Sequence, residues 1–416
     1  MNSLKTLVVI GGGAAGFFCA VNAARMDPSL KVIIVEKTSK LLSKVRVSGG
    51  GRCNVTHACF NIPTLLKHYP RGTNFLKKAF YQFSAESCVK WFEERGVKLK
   101  TEADGRMFSI TDSSQTIIDC FLKEANKYSV EILMNAEVKS IKYEGGLFLM
   151  KLADARLLTA DFVCVASGGY AKTSMFEWLK DAGHSIEEPV PSLFTFNIPG
   201  DPIIELMGVS VEKAAVKIVG SKLQDEGPLL ITHWGMSGPA VLKLSAWGAR
   251  ELADKQYHFN ILVNWIPAYN EQVLRDRWPS IRSEHSAQKI GNRNPFYLPN
   301  RLWIYLLNES GIKEDTRWAD LPGKEQNRLI KNLVAREFEV KGKTTFKEEF
   351  VTCGGIKLIE VDANTMQSKI IPQLYFAGEI LDVDGITGGF NFQHAWTSGW
   401  IAAKAISDVR LGERVT

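Results

Sequence analysis

The run Leu7-Val8-Val9-Ile10-Gly11-Gly12-Gly13-Ala14-Ala15-Gly16 limits what this chain can fold into more than any other stretch of it. Residues 4 to 10 form a short apolar run rich in Val and Ile, and Ala14 to Met26 reads as a helix with Ala-rich packing positions, ended by Pro28 and Ser29. Lys31 to Glu36 is a second buried strand, so the segment predicts a β-α-β unit. In that setting Gly11 permits the tight turn, Gly13 lets backbone approach a pyrophosphate, and Gly16 lets helix and strand pack closely. The free N–H groups and the dipole of the helix start favour negative charge. Glu36 would accept hydrogen bonds from an adenosine ribose, which argues against a 2′-phosphorylated nucleotide here. A purely structural glycine turn is the competing reading, and strand, helix and acid together weigh against it.

The rest of the first half continues an α/β texture. The spacing predicts helices near 84–95 and 113–128, strands near 130–133, 136–143 and 147–152, and a buried strand Phe162-Val163-Cys164-Val165-Ala166 ending in Ser167-Gly168-Gly169. Parallel strands need such crossovers, which are right-handed almost without exception. From about Pro191 short alternating runs between Gly and Pro suggest a small β domain, and residues 268–340 change to Trp, Leu, Lys and Glu at helical spacing. Strand-and-glycine texture returns at Val351-Thr352-Cys353-Gly354-Gly355 and leads to a final helix at about 392–407. The expected organisation is therefore a cofactor domain in two parts, 1–190 and 351–416. A small β domain at 191–267 and 341–350 and a helical insert at 268–340 lie between them.

At 416 residues, two or three domains are expected. No run of 18 apolar residues occurs, and three glycines cut Leu7–Ile10 short of a signal-peptide core, so the chain reads as cytoplasmic with no membrane partner. Seven scattered cysteines without a C-x-x-C pair disfavour a dithiol enzyme and a structural zinc, and no metal is expected. The net charge of +6 is modest but uneven: residues 37 to 85 carry nine Lys/Arg and no acid. That stretch prefers anions. A solvated face plus a cofactor phosphate is the plainer reading; RNA or a phosphorylated substrate is the sharper one.

A glycine turn alone leaves FAD and NAD equal. The C-terminal segment separates them: Leu374-Tyr375-Phe376-Ala377-Gly378-Glu379, then Asp382 and Asp384, then Thr387-Gly388-Gly389-Phe390-Asn391 and a helix. A strand ending in a small residue and an acid suits the hydroxyls of a ribityl chain. The Gly388-Gly389 turn opens a helix whose amides can stabilise negative charge on the pyrimidine edge of a reduced flavin. Two separated half-sites are what a molecule as long as FAD needs, although a helix cap with incidental acids would look similar. Ser48-Gly49-Gly50-Gly51-Arg52-Cys53-Asn54, with Lys44 and Arg46 nearby, suits a phosphate or flavin rim, or else a flexible surface loop.

Together GGGAAG, SGGGRCN at 48–54, THWGMSGP at 232–239, VTCGG at 351–355 and FAGEILDVDGITGGFN at 376–391 resemble the BaiN/YhiN-like flavoproteins, a family of NAD(P)/FAD-dependent oxidoreductases to which aminoacetone oxidase is similar. The resemblance spans nearly the whole chain. It implies an α/β fold: a Rossmann-like FAD-binding domain of the glutathione-reductase type, interrupted by a small β-barrel that carries a helical insert. It also implies FAD contacts at Gly11, Gly13, Ala15, Gly16, Glu36, Lys44, Ser48, Gly49, Asn54, Val138, Gly378, Glu379, Asp382, Gly389 and Asn391. One departure is Ser109, where the family often has Pro, which loosens a turn.

No catalytic residue stands out. His233 lies in THWGMSGP, but Ser237-Gly238-Pro239 is also a plain helix start; His394, at the start of the last helix, could approach the flavin or simply pack. Cys53 and Cys353 read as small hydrophobes in the absence of a resolving cysteine. The expected activity is that of an FAD-dependent oxidoreductase acting on a small organic substrate as monomer or homodimer, with NAD(P)H as a transient co-substrate or O₂ as the redox partner. The alternatives are a tRNA-modifying FAD protein, motivated by the acid-free stretch, and a flavin-containing redox sensor without turnover.

Overall fold

A computed structural model describes residues 4–344 and 351–415, so residues 345–350, expected to complete the small β domain, lie outside the described residues. The chain divides into two compact units, 1–192 with 347–416, and 193–346.

The first unit is built on a five-stranded parallel sheet in the order Leu374–Phe376, Phe162–Val165, Thr6–Ile10, Lys31–Val35, Glu131–Leu133. Leu7, Val8, Val9, Val163, Cys164 and Tyr375 are fully buried, which is why these strands read as unbroken apolar runs instead of alternating ones. The helix Ala14–Met26 connects the first two strands, and a three-stranded antiparallel meander, Val138–Glu144, Leu147–Leu152 and Leu157–Ala160, leads from Glu131–Leu133 back to Phe162–Val165. The last helix, Phe390–Val415, crosses Ala14–Met26 so closely that a Cβ on Gly399 would lie 2.7 Å from the Ala15 carbonyl oxygen. Phe18, Trp91, Phe121 and Trp396 interlock beside that crossing, with Phe18–Trp91 centroids 4.5 Å apart and Phe121–Trp396 5.4 Å. Ile186–Ser192 pairs antiparallel with Val351–Ile356, tying the two stretches of the unit together.

The predicted helices are Ala85–Glu93 and Ser114–Lys127, and the last begins at Phe390. Two further segments complete this part of the unit. The glycine run at 48–54 starts where the helix Ser43–Gly51 is broken at Ser48, with Gly49 and Gly50 left-handed. Thr73–Gln82 is a helix burying Phe75, Leu76, Ala79 and Phe80, an apolar stripe at helical spacing.

The second unit holds a seven-stranded antiparallel sheet and the helices Glu271–Glu284, Asn300–Glu309 and Gly323–Ala335, around a core containing Trp265, Trp278, Trp303 and Trp318. Helical texture was expected to 340, yet Arg336–Lys341 is a strand paired with His258–Asn264. Its alternation, with Phe338 and Val340 buried between exposed charges, is a period of two. The helix Pro239–Trp247 has Pro just inside its start, and its cap is Gly238 instead of Ser237, which ends the strand Gly235–Ser237.

Candidate functional site

Every element discussed next, His233 excepted, belongs to the first unit. At the glycine turn Gly11 has φ +116°, and a Cβ there or at Gly16 would collide with backbone, with the Ala166 and Gly11 carbonyls respectively. A Cβ at Gly13 would meet nothing within 4 Å, so the helix start is open at the point where a diphosphate would seat. Ala15 is buried one residue further on. Glu36 lies directly on this turn: its Oε2 accepts from the Gly12 amide at 2.9 Å and its Oε1 from the Thr38 amide at 2.8 Å. The chain leading to Val138 passes the same strand end, with the Ala136 amide donating to the Glu36 carbonyl at 2.9 Å.

The C-terminal half reaches this turn through Gly378, whose φ is +75° and on which a Cβ would come within 2.8 Å of the Ala15 methyl. The Gly378 amide donates to Ser398 Oγ at 2.8 Å, and its carbonyl accepts from His394 Nε2 at 3.1 Å. Only an N–H can serve that carbonyl, so His394 carries its proton on Nε2, and its buried Nδ1 has no partner. Burial lowers its pKa to about 4, which keeps the ring neutral. Glu379 is held from two sides, by the Lys44 ammonium at 2.6 Å and the Thr352 amide at 2.8 Å.

The broken helix delivers the third element. Ser48 donates its hydroxyl to the Val45 carbonyl at 3.1 Å, and the turn after it places Asn54 beside both Gly49 and Gly389. A Cβ on Gly49 would lie 3.1 Å from the Asn54 nitrogen, and one on Gly389 would lie 2.8 Å from Asn54 Oδ1. That oxygen is buried with no hydrogen-bond partner. An open diphosphate seat at one end and an orphaned acceptor at the other fit a long cofactor with a polar ring edge. Asn391 clamps Gly385 through both its amide atoms, at 2.8 and 2.9 Å, which shapes the loop before the Gly388-Gly389 turn. Asp382 is buried in that loop, its amide donating to the Ile356 carbonyl at 3.1 Å.

His233 falls in the second unit, exposed in the tight turn between Gln224–Thr232 and Gly235–Ser237. Cys53 is fully buried, and burial pushes its thiol up to about 12. Sequence reasoning missed the bracing of the loop: Asp384 is fully buried in a two-pronged ion pair with Arg71 and accepts from Ser192 Oγ at 2.7 Å, while Tyr69 Oη donates to the Phe390 carbonyl at 2.7 Å. Nothing local marks partners 313 and 321 residues apart.

This fold and site define a flavoprotein oxidoreductase with an FAD-binding Rossmann domain. The chain belongs to the HI0933-like family: the family's model, described as "HI0933-like protein Rossmann domain", matches residues 5–405. It is 26% identical to the 3-dehydro-bile acid delta(4,6)-reductase of Clostridium scindens, over 97% of this chain and 100% of that protein. It is 28% identical to the ribosomal RNA dihydrouridine synthase of Escherichia coli, over 95% of this chain and 96% of that one. Among solved structures it is similar in fold to the 3-ketosteroid delta1-dehydrogenase of Sterolibacterium denitrificans, with TM-score 0.51 and 13% identity over 97% of this chain and 100% of the other. Among the described residues no helix is long and apolar enough to cross a membrane.

Proposed function

We propose that this protein is a cytoplasmic FAD-dependent reductase that saturates a carbon–carbon double bond conjugated to a carbonyl in a small organic molecule. NADH or NADPH visits transiently as reductant, and O₂ competes as acceptor. The observation that carries the reading is the convergence, within one unit, of the open helix start at Gly13, the Glu379 carboxylate and the orphaned Asn54 oxygen beside Gly389. The choice of acceptor is supported by two relatives whose names, a delta(4,6)-reductase of a 3-dehydro-bile acid and a dihydrouridine synthase, both denote addition of hydrogen across such a bond.

When bound, FAD supplies two-electron transfer between nicotinamide and acceptor; the protein supplies orientation and electrostatics. Amides at the start of Ala14–Met26 would hold the diphosphate, and Glu379 would orient hydroxyls. The N-terminal amides of the helix beginning at Phe390 would stabilise negative charge on a flavin held there. His394, neutral and buried, fixes the Gly378 turn and carries no proton to the reaction.

A visible absorbance spectrum followed by anaerobic titration with NADH and then NADPH tests the reading. A flavin spectrum bleached by one of them is expected; a colourless protein that FAD cannot reconstitute overturns it.

A second reading has a specific observation behind it: the acid-free stretch 37–85 with its nine cations suits an RNA substrate. Filter binding of total RNA across a salt series distinguishes the two, since affinity that does not fall with salt removes the RNA reading.

A further inference from the structure

In Val351-Thr352-Cys353-Gly354-Gly355 most positions have a structural account. Gly354 and Gly355 have φ of +121° and +140°, and Cβ atoms there would lie 2.8 Å from Pro189 Cα and 3.0 Å from the Ile380 carbonyl carbon. Cys353 is fully buried in the strand. Thr352 is not explained this way. It too is fully buried, its amide donates to Glu379 Oε1 at 2.8 Å, and its hydroxyl has no hydrogen-bond partner. Valine would fill the same space and β-strand geometry without leaving a buried hydroxyl unsatisfied, a cost that native structures seldom carry without a reason.

The hydroxyl faces a space that a missing side chain keeps clear. A Cβ on Gly169, in the turn after the strand Phe162–Val165, would strike Thr352 Oγ1 and lie 2.7 Å from Thr352 Cβ and 2.9 Å from Glu379 Oε1. Gly169, Thr352 and Glu379 therefore border one point. A carboxylate next to a hydroxyl suits a chain of alcohols, each of which can donate to the acid and accept from the threonine.

We propose that the Thr352 hydroxyl is a further cofactor contact, hydrogen-bonding the polyol chain of FAD beside Glu379 in the space left open by Gly169. This rests on the FAD reading above. The protein itself offers this hydroxyl no partner, and the polyol supplies one.

The test is FAD titration of flavin-free protein by fluorescence quenching, with thermal melts of the same flavin-free samples. Thr352→Val should bind FAD about five- to tenfold more weakly, the worth of one hydrogen bond, while its flavin-free melting temperature is unchanged or raised. Thr352→Ser should restore affinity, and ADP, which lacks the polyol, should bind wild type and Thr352→Val alike. Equal FAD affinity of Thr352→Val and wild type overturns the proposal. So does a loss of affinity matched by a lower flavin-free melting temperature, which would make the hydroxyl structural. Failure of the wild type itself to bind FAD overturns the cofactor reading instead, so the two failures are distinguishable.

Discussion

His394 Nε2 donates to the Gly378 carbonyl at 3.1 Å from a fully desolvated position, tying the first turn of the last helix to the turn that rests on Ala15. Because burial lowers the folded pKa to about 4 from 6.5, the unfolded chain binds a proton more readily than the folded one between those values. Stability is therefore full above about pH 6.5 and falls as the pH drops toward 4, by on the order of 3 kcal/mol from this residue. His394→Asn, which does not titrate, should flatten the acid limb of a plot of melting temperature against pH. An unchanged limb would show that the ring is not held neutral.

Gly13 and Gly16 belong to one motif but should fail differently. A Cβ at Gly16 meets the Gly11 carbonyl, so Gly16→Ala must push helix and turn apart and lower the melting temperature of flavin-free protein. A Cβ at Gly13 meets nothing in the flavin-free chain, so Gly13→Ala should melt normally and lose FAD affinity tenfold or more by blocking the diphosphate. Equal destabilisation by both would contradict this division of roles.

These contrasts explain what could be read from the sequence. The parallel sheet was legible because its first strands, turn and helix fit within 36 consecutive residues, where each glycine has a local job. The helix at Thr73–Gln82 carried a readable stripe, and Arg336–Lys341 continued the charged texture of the helix before it. Asn54 and Gly389 meet only through the fold, and the Arg71–Asp384 pair spans 313 residues. No periodicity encodes either.

Cys53 tests whether burial outweighs a suggestive motif. With its thiol pushed up to about 12, almost no thiolate exists at pH 8, and the side chain is inaccessible. Mass spectrometry after iodoacetamide should find Cys53 unmodified in native protein and alkylated in denaturant, and Cys53→Ala should keep its flavin spectrum. Rapid native alkylation would return the cysteine to the list of reactive groups.

The Arg71–Asp384 pair combines a fully buried carboxylate with a nearly buried guanidinium. Burial raises the Asp384 pKa even though Arg71 and Ser192 pull it down, so desolvation outweighs attraction and the pair is a weak source of net stability. Removing one partner is another matter, because it takes the opposing charge away from a buried group beside the loop that leads to Gly388-Gly389. Arg71→Met or Asp384→Leu alone should cost about 3–5 kcal/mol, whereas the double variant should recover most of that loss. Chemical denaturation of the four proteins closes the cycle. Additive losses would mean that the two residues brace the loop independently, and the buried pair would then not be the unit that shapes this side of the site.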